Sequence, residues 1–163
     1  MNSPEGATEQ TTMASSLVKN DLHLTFHVKT GSPLIREADL ARVFPYVAGL
    51  IRGLGGTPLA VGGRPDHLHA LFSLPATKSL SDFVCQLKSD SSHWLKGVDA
   101  VYSHFAWQEG YGAFSMSPSL IEKTVAYIDH QAEHHALRSF REEYKMFLDT
   151  CGIQYDERYV FSD

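Results

Sequence analysis

The chain has 163 residues, 43% of them hydrophobic, which favours a single domain with a real hydrophobic core. Its formal net charge of −5 argues against a strongly basic nucleic-acid-binding protein, although the sum still allows a local basic face. The two cysteines are too few for a four-cysteine zinc site, and no run of about 18 apolar residues could span a membrane.

Residues 1–17 are polar and contain neither a basic start nor an apolar segment, so no secretory signal is expected. We predict that they form a disordered leader and that residues 18–163 form one domain. Met13 is an alternative start of the protein. Without a secretory signal, Cys85 and Cys151 are predicted to be reduced thiols of a cytoplasmic protein.

The first half of the domain predicts a strand, a helix and a hairpin. Residues 21–30 alternate in polarity and are rich in β-forming side chains, which is typical of a strand. Apolar residues recur at helical spacing over residues 37–56, where Pro45 predicts a kink or a later start. Residues 57–63 and 67–74 predict two antiparallel strands, joined by a turn at residues 64–66.

The second half predicts three helices and one strand-like region. The helices cover residues 79–97, 117–139 and 140–152, and the strand-like region covers residues 100–117. The resulting element order is β-α-β-β-α-β-α-α. This order predicts an α+β domain with a mostly antiparallel sheet and helices packed on it.

Two histidines, His67 and His69, lie two residues apart in the predicted strand 67–74. Residues at this spacing point to one face of a strand, while Leu68 points to the other, into the core. Two neighbouring neutral imidazoles are typical ligands of a divalent metal ion, and Asp66 either orients one of them or closes the turn. The spacing also arises by chance in a chain with nine histidines, so the pair alone leaves both interpretations open.

The predicted helix 117–139 places Tyr127 and Gln131 four residues apart, on one helical face. The amide oxygen of Gln131 suits a hard cation, and the phenol of Tyr127 can act as a nucleophile once it is deprotonated. A tyrosine at this spacing also packs in many cores, so this interpretation stays open as well.

A zinc-hydrolase interpretation uses His130 and His134 of the same helix, with Glu133 and His135 nearby. The order of these residues does not match the His-Glu-x-x-His pattern of zinc hydrolases. The zinc interpretation is therefore the weaker one.

A surface for single-stranded DNA combines cations with aromatic rings on which bases stack. Lys88, Ser92 and Lys96 recur at helical spacing and could together face a DNA backbone. A solvated helix face that does not bind DNA would show the same spacing. The aromatic candidates are equally compatible with core packing. The full set of candidate DNA contacts is Lys29, Arg64, Lys88, Ser92, Lys96, Trp107 and Tyr111.

Three stretches together resemble a known family. Residues 67–75, "HLHALFSLP", resemble the HUH motif, in which a hydrophobic residue separates two histidines. Residues 127–131, "YIDHQ", resemble a Tyr-x-x-x-Gln motif, and residues 107–117, "WQEGYGAFSMS", are similar to the Trp-x-x-Gly-Tyr stretch between them. Over residues 20–150 the chain thus resembles the IS200/IS605-type single-tyrosine HUH transposases, including the REP-associated tyrosine transposases.

The resemblance implies a ferredoxin-like or RRM-like fold and a homodimer, in which the tyrosine helix of one subunit often completes the site of the other. It implies cleavage of single-stranded DNA beside a hairpin, with Mg²⁺ or Mn²⁺ as cofactor. Carried over to this chain, it makes His67, His69 and Gln131 metal ligands and Tyr127 the nucleophile, which stays joined to a 5′-phosphate. It also implies a bacterial cytoplasmic protein that associates with the nucleoid when it acts.

Two other functions remain compatible with the same residues. One is a domesticated nickase that uses the site without moving an element. The other is an RRM-like nucleic-acid-binding module that has lost catalysis, although pure binding does not require two imidazoles and a phenol in one place.

Overall fold

The structure, a computed structural model, describes residues 16–134 and 138–161 of the chain. Residues 1–15, most of the predicted leader, lie outside this description. Four strands and five helices are described: β1 (Asp21–His27), α1 (Leu40–Gly53), β2 (Thr57–Arg64), β3 (His67–Ser73), α2 (Leu80–Val98), β4 (Gly112–Ser115), α3 (Ile121–Asp129), α4 (Gln131–His134) and α5 (Phe140–Thr150). Within the described residues, no helix has the length and apolar character needed to cross a membrane.

The four strands form one antiparallel sheet with the order β2-β3-β1-β4. The first six major elements follow one another as β1-α1-β2-β3-α2-β4, which is the ferredoxin-like arrangement. The predicted fold class, an α+β domain with helices packed on an antiparallel sheet, is confirmed. The predicted hairpin is also present, since β2 pairs with β3 from Arg64 opposite His67 onwards.

The two faces of the central strands differ in polarity, because successive side chains of a strand point to opposite sides. Leu24, Phe26 and Leu68 lie on one face and belong to the main hydrophobic core, which α1 and α2 complete. The opposite face carries buried polar residues, with His23 on β1 and His69 on β3 among them. Helices α3, α4 and α5 cover this polar face.

The helix predicted over residues 117–139 is interrupted. A 3-10 turn at Pro118–Leu120 precedes α3, which ends at Asp129, and α4 begins again at Gln131. Between them the backbone of His130 leaves helical geometry, and its ring Nδ1 lies 2.6 Å from the carbonyl oxygen of Ala126. This side-chain contact to the preceding turn accompanies the break. Residues 135–137 of the predicted helix lie outside the described residues.

The strand-like region predicted over residues 100–117 is a strand only at its end, in β4. Its first part forms a 3-10 turn at Ala100–Tyr102 and then an irregular segment in which Phe105 and Trp107 both enter the main core. The Nζ of Lys88 fastens the end of this segment by donating to the carbonyl oxygens of residues 108, 109 and 110, at 2.7, 3.1 and 2.7 Å. Lys88, rather than a neighbouring strand, thus holds these carbonyl groups, and the segment meets the sheet through an isolated bridge between Trp107 and Val28.

Helix α3 approaches the sheet so closely that strand β2 requires glycine at the contact. A Cβ atom at Gly62 would lie 2.5 Å from the carbonyl oxygen of Ile128 and 2.9 Å from its Cγ2. Ile128 is the buried residue next to Tyr127. Gly62 thus sets the distance between the tyrosine helix and the sheet.

Replacement of this glycine is expected to push α3 away from the sheet. Gly62→Ala should lower the free energy of unfolding by about 1–3 kcal/mol, because the added methyl group overpacks a contact with backbone atoms. Gly49→Ala is the matched control, because a Cβ there meets nothing within 4 Å. In the middle of α1 it should stabilise by about 0.5–1 kcal/mol. Urea denaturation measures both changes, and an unchanged midpoint for Gly62→Ala would contradict the close approach.

Candidate active site

The two motif histidines lie side by side on the polar face of the sheet. His67 and His69 of β3 are 1% and 0% exposed, while Leu68 between them lies in the main core. Their partners across the strand pair are His27 and Thr25 of β1. Both imidazoles are therefore held in the protein interior by the sheet itself.

The break before α4 brings the motif glutamine to the first of these histidines. Gln131 is the first residue of α4 and 2% exposed, and its Oε1 lies 3.0 Å from the Nε2 of His67. Its Nε2 donates to the carbonyl oxygen of Tyr127 at 3.3 Å. All of these groups belong to one chain.

Tyr127 lies among three aromatic rings next to the histidines. Its ring centroid is 5.7 Å from that of His69, 6.3 Å from that of His23 and 5.6 Å from that of Phe147, and all three contacts are edge-to-face. Its hydroxyl is buried. The phenol is thus oriented by packing toward the polar face of the sheet.

Each motif histidine has a contact at Nδ1 that leaves Nε2 turned to the centre of the site. The Nδ1 of His67 lies 2.7 Å from Oδ1 of Asp66. Because a carboxylate only accepts hydrogen bonds, Nδ1 carries a proton, and in the neutral ring Nε2, which faces Oε1 of Gln131, has the lone pair that a metal ion would take. Asp66 therefore contacts the imidazole, which is the first of the two roles that its sequence position allowed.

The Nδ1 partner of His69 is another histidine, His23. The Nδ1 of His69 lies 2.9 Å from the Nε2 of His23, and burial lowers the pKa of His23 to about 4. The neutral ring of His23 can accept a hydrogen bond at Nε2, and His69 then donates through Nδ1 and keeps a lone pair at Nε2. Sequence reasoning missed His23, because its contact depends on which strands pair.

A carboxylate from α5 completes the group. Glu143 is 5% exposed, and its Oε2 lies 3.8 Å from the Nε2 of His69. One ligand atom from each of His67, His69 and Glu143 lies within 4.8 Å of the other two. Burial and, to a lesser degree, the charge of Asp66 raise the pKa of Glu143 to about 7.

The residues present fit a divalent cation. Two imidazole nitrogens, one amide oxygen and one carboxylate oxygen converge, and both imidazoles have an Nδ1 partner of the kind that orients metal ligands. Mixed nitrogen and oxygen ligands suit Mn²⁺, and the oxygen ligands also suit Mg²⁺. Sequence reasoning missed Glu143, whose only signal is a single acid within the apolar spacing of the last helix.

A cavity of about 510 Å³ opens beside the phenol. Its walls include Tyr127, Glu143 and Phe147, and two cations, Lys123 and Arg138, also line it. Lys123 lies four residues before Tyr127, so this spacing already places it on the tyrosine face of α3. Neither cation was among the predicted DNA contacts.

Five of the predicted DNA contacts line a groove between α2 and the segment before β4: Lys88, Ser92, Lys96, Trp107 and Tyr111. Trp107 is 6% exposed, packs against Phe26 and donates to Ser91, so most of its ring faces the core. The donors of Lys88 point at three carbonyl groups, and burial lowers its pKa to about 8. Lys96 is exposed, and Ser92 and Tyr111 are partly buried.

The two remaining predicted contacts lie elsewhere. Lys29 is exposed and lines a second cavity with Asp66 and Arg141, next to the histidines. Arg64 forms an ion pair with Glu37 at 2.8 Å. The cationic candidates are therefore spread over several surfaces.

The alternative zinc helix is not assembled in the part of the chain that the structure describes. His130 and Glu133 are exposed, and the ring of His130 contacts the backbone of Ala126. His135 and the side chain of His134 lie outside the described residues. Among the described residues, the group of His, Cys, Asp and Glu side chains close enough for one ion is the one formed with His67 and His69.

Comparisons with known proteins agree with this architecture. None of the curated proteins compared with the chain matches it. The structure of a candidate transposase from Deinococcus radiodurans R1 aligns with a TM-score of 0.57 and 18% identity, over 73% of this chain and 95% of that one. A REP-associated tyrosine transposase bound to a REP hairpin aligns with a TM-score of 0.55 and 15% identity, over 76% and 73%. At these identities, the two structures show that the fold is shared.

The family described as "Transposase IS200 like" matches residues 16–131, which is more than two thirds of the chain. The matched range includes strand β3 with both motif histidines, the tyrosine helix and the motif glutamine. The chain therefore belongs to the IS200-like transposase family.

Proposed function

We propose that this transposase cleaves and rejoins single-stranded DNA next to hairpins, through a 5′-phosphotyrosine on Tyr127. The observation that carries the proposal is the convergence, within one chain, of a phenol with a buried hydroxyl, two imidazole Nε2 atoms and an amide oxygen. The family match supports a transposase, and the similar structure bound to a REP hairpin supports a hairpin substrate.

His67, His69 and Gln131 would hold Mg²⁺ or Mn²⁺. When bound, the ion polarises a phosphoryl oxygen and stabilises negative charge in the transition state. Asp66 and His23 keep the two imidazoles in the tautomer that leaves each Nε2 lone pair available. The chain therefore supplies a preorganised set of ligands beside the nucleophile.

Strand transfer by tyrosine conserves the number of phosphoester bonds. A bond forms between the Tyr127 oxygen and phosphorus, the bond from phosphorus to the 3′-oxygen breaks, and the phenolic proton ends on the leaving 3′-oxygen. Because the product is still a phosphodiester, another 3′-hydroxyl can attack it and rejoin DNA. Packing of the phenol against His69, His23 and Phe147 fixes the direction of this attack.

The cations near the phenol would hold the DNA backbone beside the cleaved bond. Lys123 and Arg138 line the cavity of Tyr127, and Lys29 lies by the second cavity near Asp66. These local charges allow phosphate binding despite the net charge of −5. Lys96 and Tyr111 remain proposed contacts in the separate groove along α2. The homodimer and a cytoplasmic, nucleoid-associated location are further parts of the proposal that follow from the family resemblance.

The nucleophile is tested by a covalent-adduct assay. Wild-type protein and Tyr127→Phe are incubated with labelled single strands from both flanks of the gene, with Mn²⁺ or Mg²⁺, and analysed on a denaturing protein gel. A labelled band is expected for the wild type and for the control Tyr46→Phe on α1, but not for Tyr127→Phe or with chelator. An adduct that survives in Tyr127→Phe would exclude the proposed nucleophile, and a mobility shift without any adduct would favour a binding module.

The role of Lys123 is tested by the salt dependence of DNA binding. Loss of one phosphate contact should reduce the slope of log K against log salt by about 0.7 for a single strand. Lys123→Ala should show this reduction and weaker binding, whereas Lys78→Ala, at an exposed position before α2, should match the wild type. Equal slopes for Lys123→Ala and the wild type would show that DNA follows another path.

The role of Asp66 is tested by metal affinity without DNA. Asp66→Ala removes the acceptor at Nδ1 of His67 and should weaken Mn²⁺ binding by about 10- to 100-fold in isothermal titration calorimetry. Asp90→Ala serves as the control, because Asp90 is half-buried on α2 and its carboxylate accepts from Gln86, not from a histidine. Unchanged affinity of Asp66→Ala would mean that Asp66 only closes the turn.

A further inference from the structure

Helix α5 presents a single carboxylate in an otherwise apolar face. Phe140, Tyr144, Phe147 and Leu148 pack together on this face, and Glu143 lies among them with a side chain that is 6% exposed. A metal ion that faces a buried carboxylate offsets the cost of removing its charge from water. Glu143 also lies beyond residues 16–131, so it belongs to a part of this chain that the family match does not include.

The position of α5 on the sheet is set by its first residue. The ring of Phe140 stacks on that of His67, with centroids 4.4 Å apart and planes 17° apart. Glu143 follows one turn later on the same face of the helix. Its carboxylate therefore reaches the second motif histidine, His69, while Phe140 covers the first.

The distance between Glu143 and His69 fits two ligands of one ion. Oε2 and Nε2 are 3.8 Å apart, which exceeds the length of a hydrogen bond. Two atoms that each lie about 2.1 Å from a shared cation are about 3 to 4 Å apart. The Nε2 of His67 and Oε1 of Gln131 lie 3.0 Å apart, a distance that fits a hydrogen bond as well as two ligands of one ion.

We propose that Glu143 is a fourth protein ligand of the divalent cation and that the cation fastens α5 to the sheet. This inference rests on the proposed function, in which His67, His69 and Gln131 hold that cation. Glu143 adds the one negative charge in a set that otherwise consists of two neutral imidazoles and an amide. Charged oxygen ligands strengthen the binding of hard cations, and a six-coordinate ion keeps two positions for phosphate oxygen or water.

Fastening of α5 also shapes the cavity beside the nucleophile. Glu143, Met146 and Phe147 of α5 form one wall of the cavity that contains Tyr127. Metal binding and the shape of the DNA-accepting cavity are thereby coupled through one helix. The coupling predicts that the cation changes the stability of α5 even when no DNA is bound.

Mn²⁺ binding to the full chain without DNA tests the ligand. Calorimetry and the electron paramagnetic resonance signal of free Mn²⁺ are compared for the wild type, Glu143→Gln and the control Glu122→Gln, an exposed acid on α3. Glu143→Gln keeps the shape of the side chain but removes its charge, and should weaken Mn²⁺ binding about tenfold or more. Glu122→Gln should bind like the wild type.

His67→Ala and His69→Ala separate this inference from the proposed function. If the wild type binds no Mn²⁺, or if both histidine variants bind it as the wild type does, the proposed metal site itself fails. If the histidine variants lose Mn²⁺ and Glu143→Gln keeps wild-type affinity, the site stands and the role of Glu143 is overturned.

Hydrogen exchange of the wild type gives a second measurement that holds even if Glu143→Gln does not fold. Amides of α5 should exchange more slowly when Mn²⁺ is added, because the ion joins this helix to β3. Unchanged exchange of α5 at saturating Mn²⁺ would overturn the fastening of the helix.

Discussion

The burial of imidazoles on the second face of the sheet is the constraint on which the rest of the structure depends. His23, His67 and His69 are each at most 1% exposed, and buried polar rings need partners. Strand pairing supplies His23 to His69, the turn supplies Asp66 to His67, and the helices after β4 bring Gln131 and Glu143. The elements that satisfy this face are therefore the same elements that assemble the candidate site.

Two local irregularities in α3 and β2 bring the side chains of the candidate site together. Gly62 lets α3 approach β2 closely, which brings Tyr127 beside the histidines. The break at His130 then ends α3 and starts α4 at Gln131, whose amide bridges the backbone of Tyr127 and the ring of His67. A helix that continued without the break, or that lay farther from β2, would separate Tyr127 and Gln131 from the histidines.

Local periodicity was sufficient to predict the parts of the site that lie within one element. Alternation placed His67 and His69 on one face, and helical spacing paired Tyr127 with Gln131. His23 and Glu143 could not be found in this way, because their contacts join residues 46 and 74 positions apart and depend on strand pairing and helix packing. Composition and spacing also do not distinguish a stacking surface from the core, and Trp107, one of the predicted DNA contacts, is 6% exposed.

The central claim is that one chain forms a complete cation site next to its own tyrosine. Anomalous diffraction at the manganese edge, from crystals of the wild type grown with Mn²⁺, tests it most directly. One peak per chain is expected, about 2.1 Å from the Nε2 atoms of His67 and His69 and next to Gln131 of the same chain. A peak elsewhere, no peak at saturating Mn²⁺, or a glutamine and tyrosine contributed by a second subunit would contradict it.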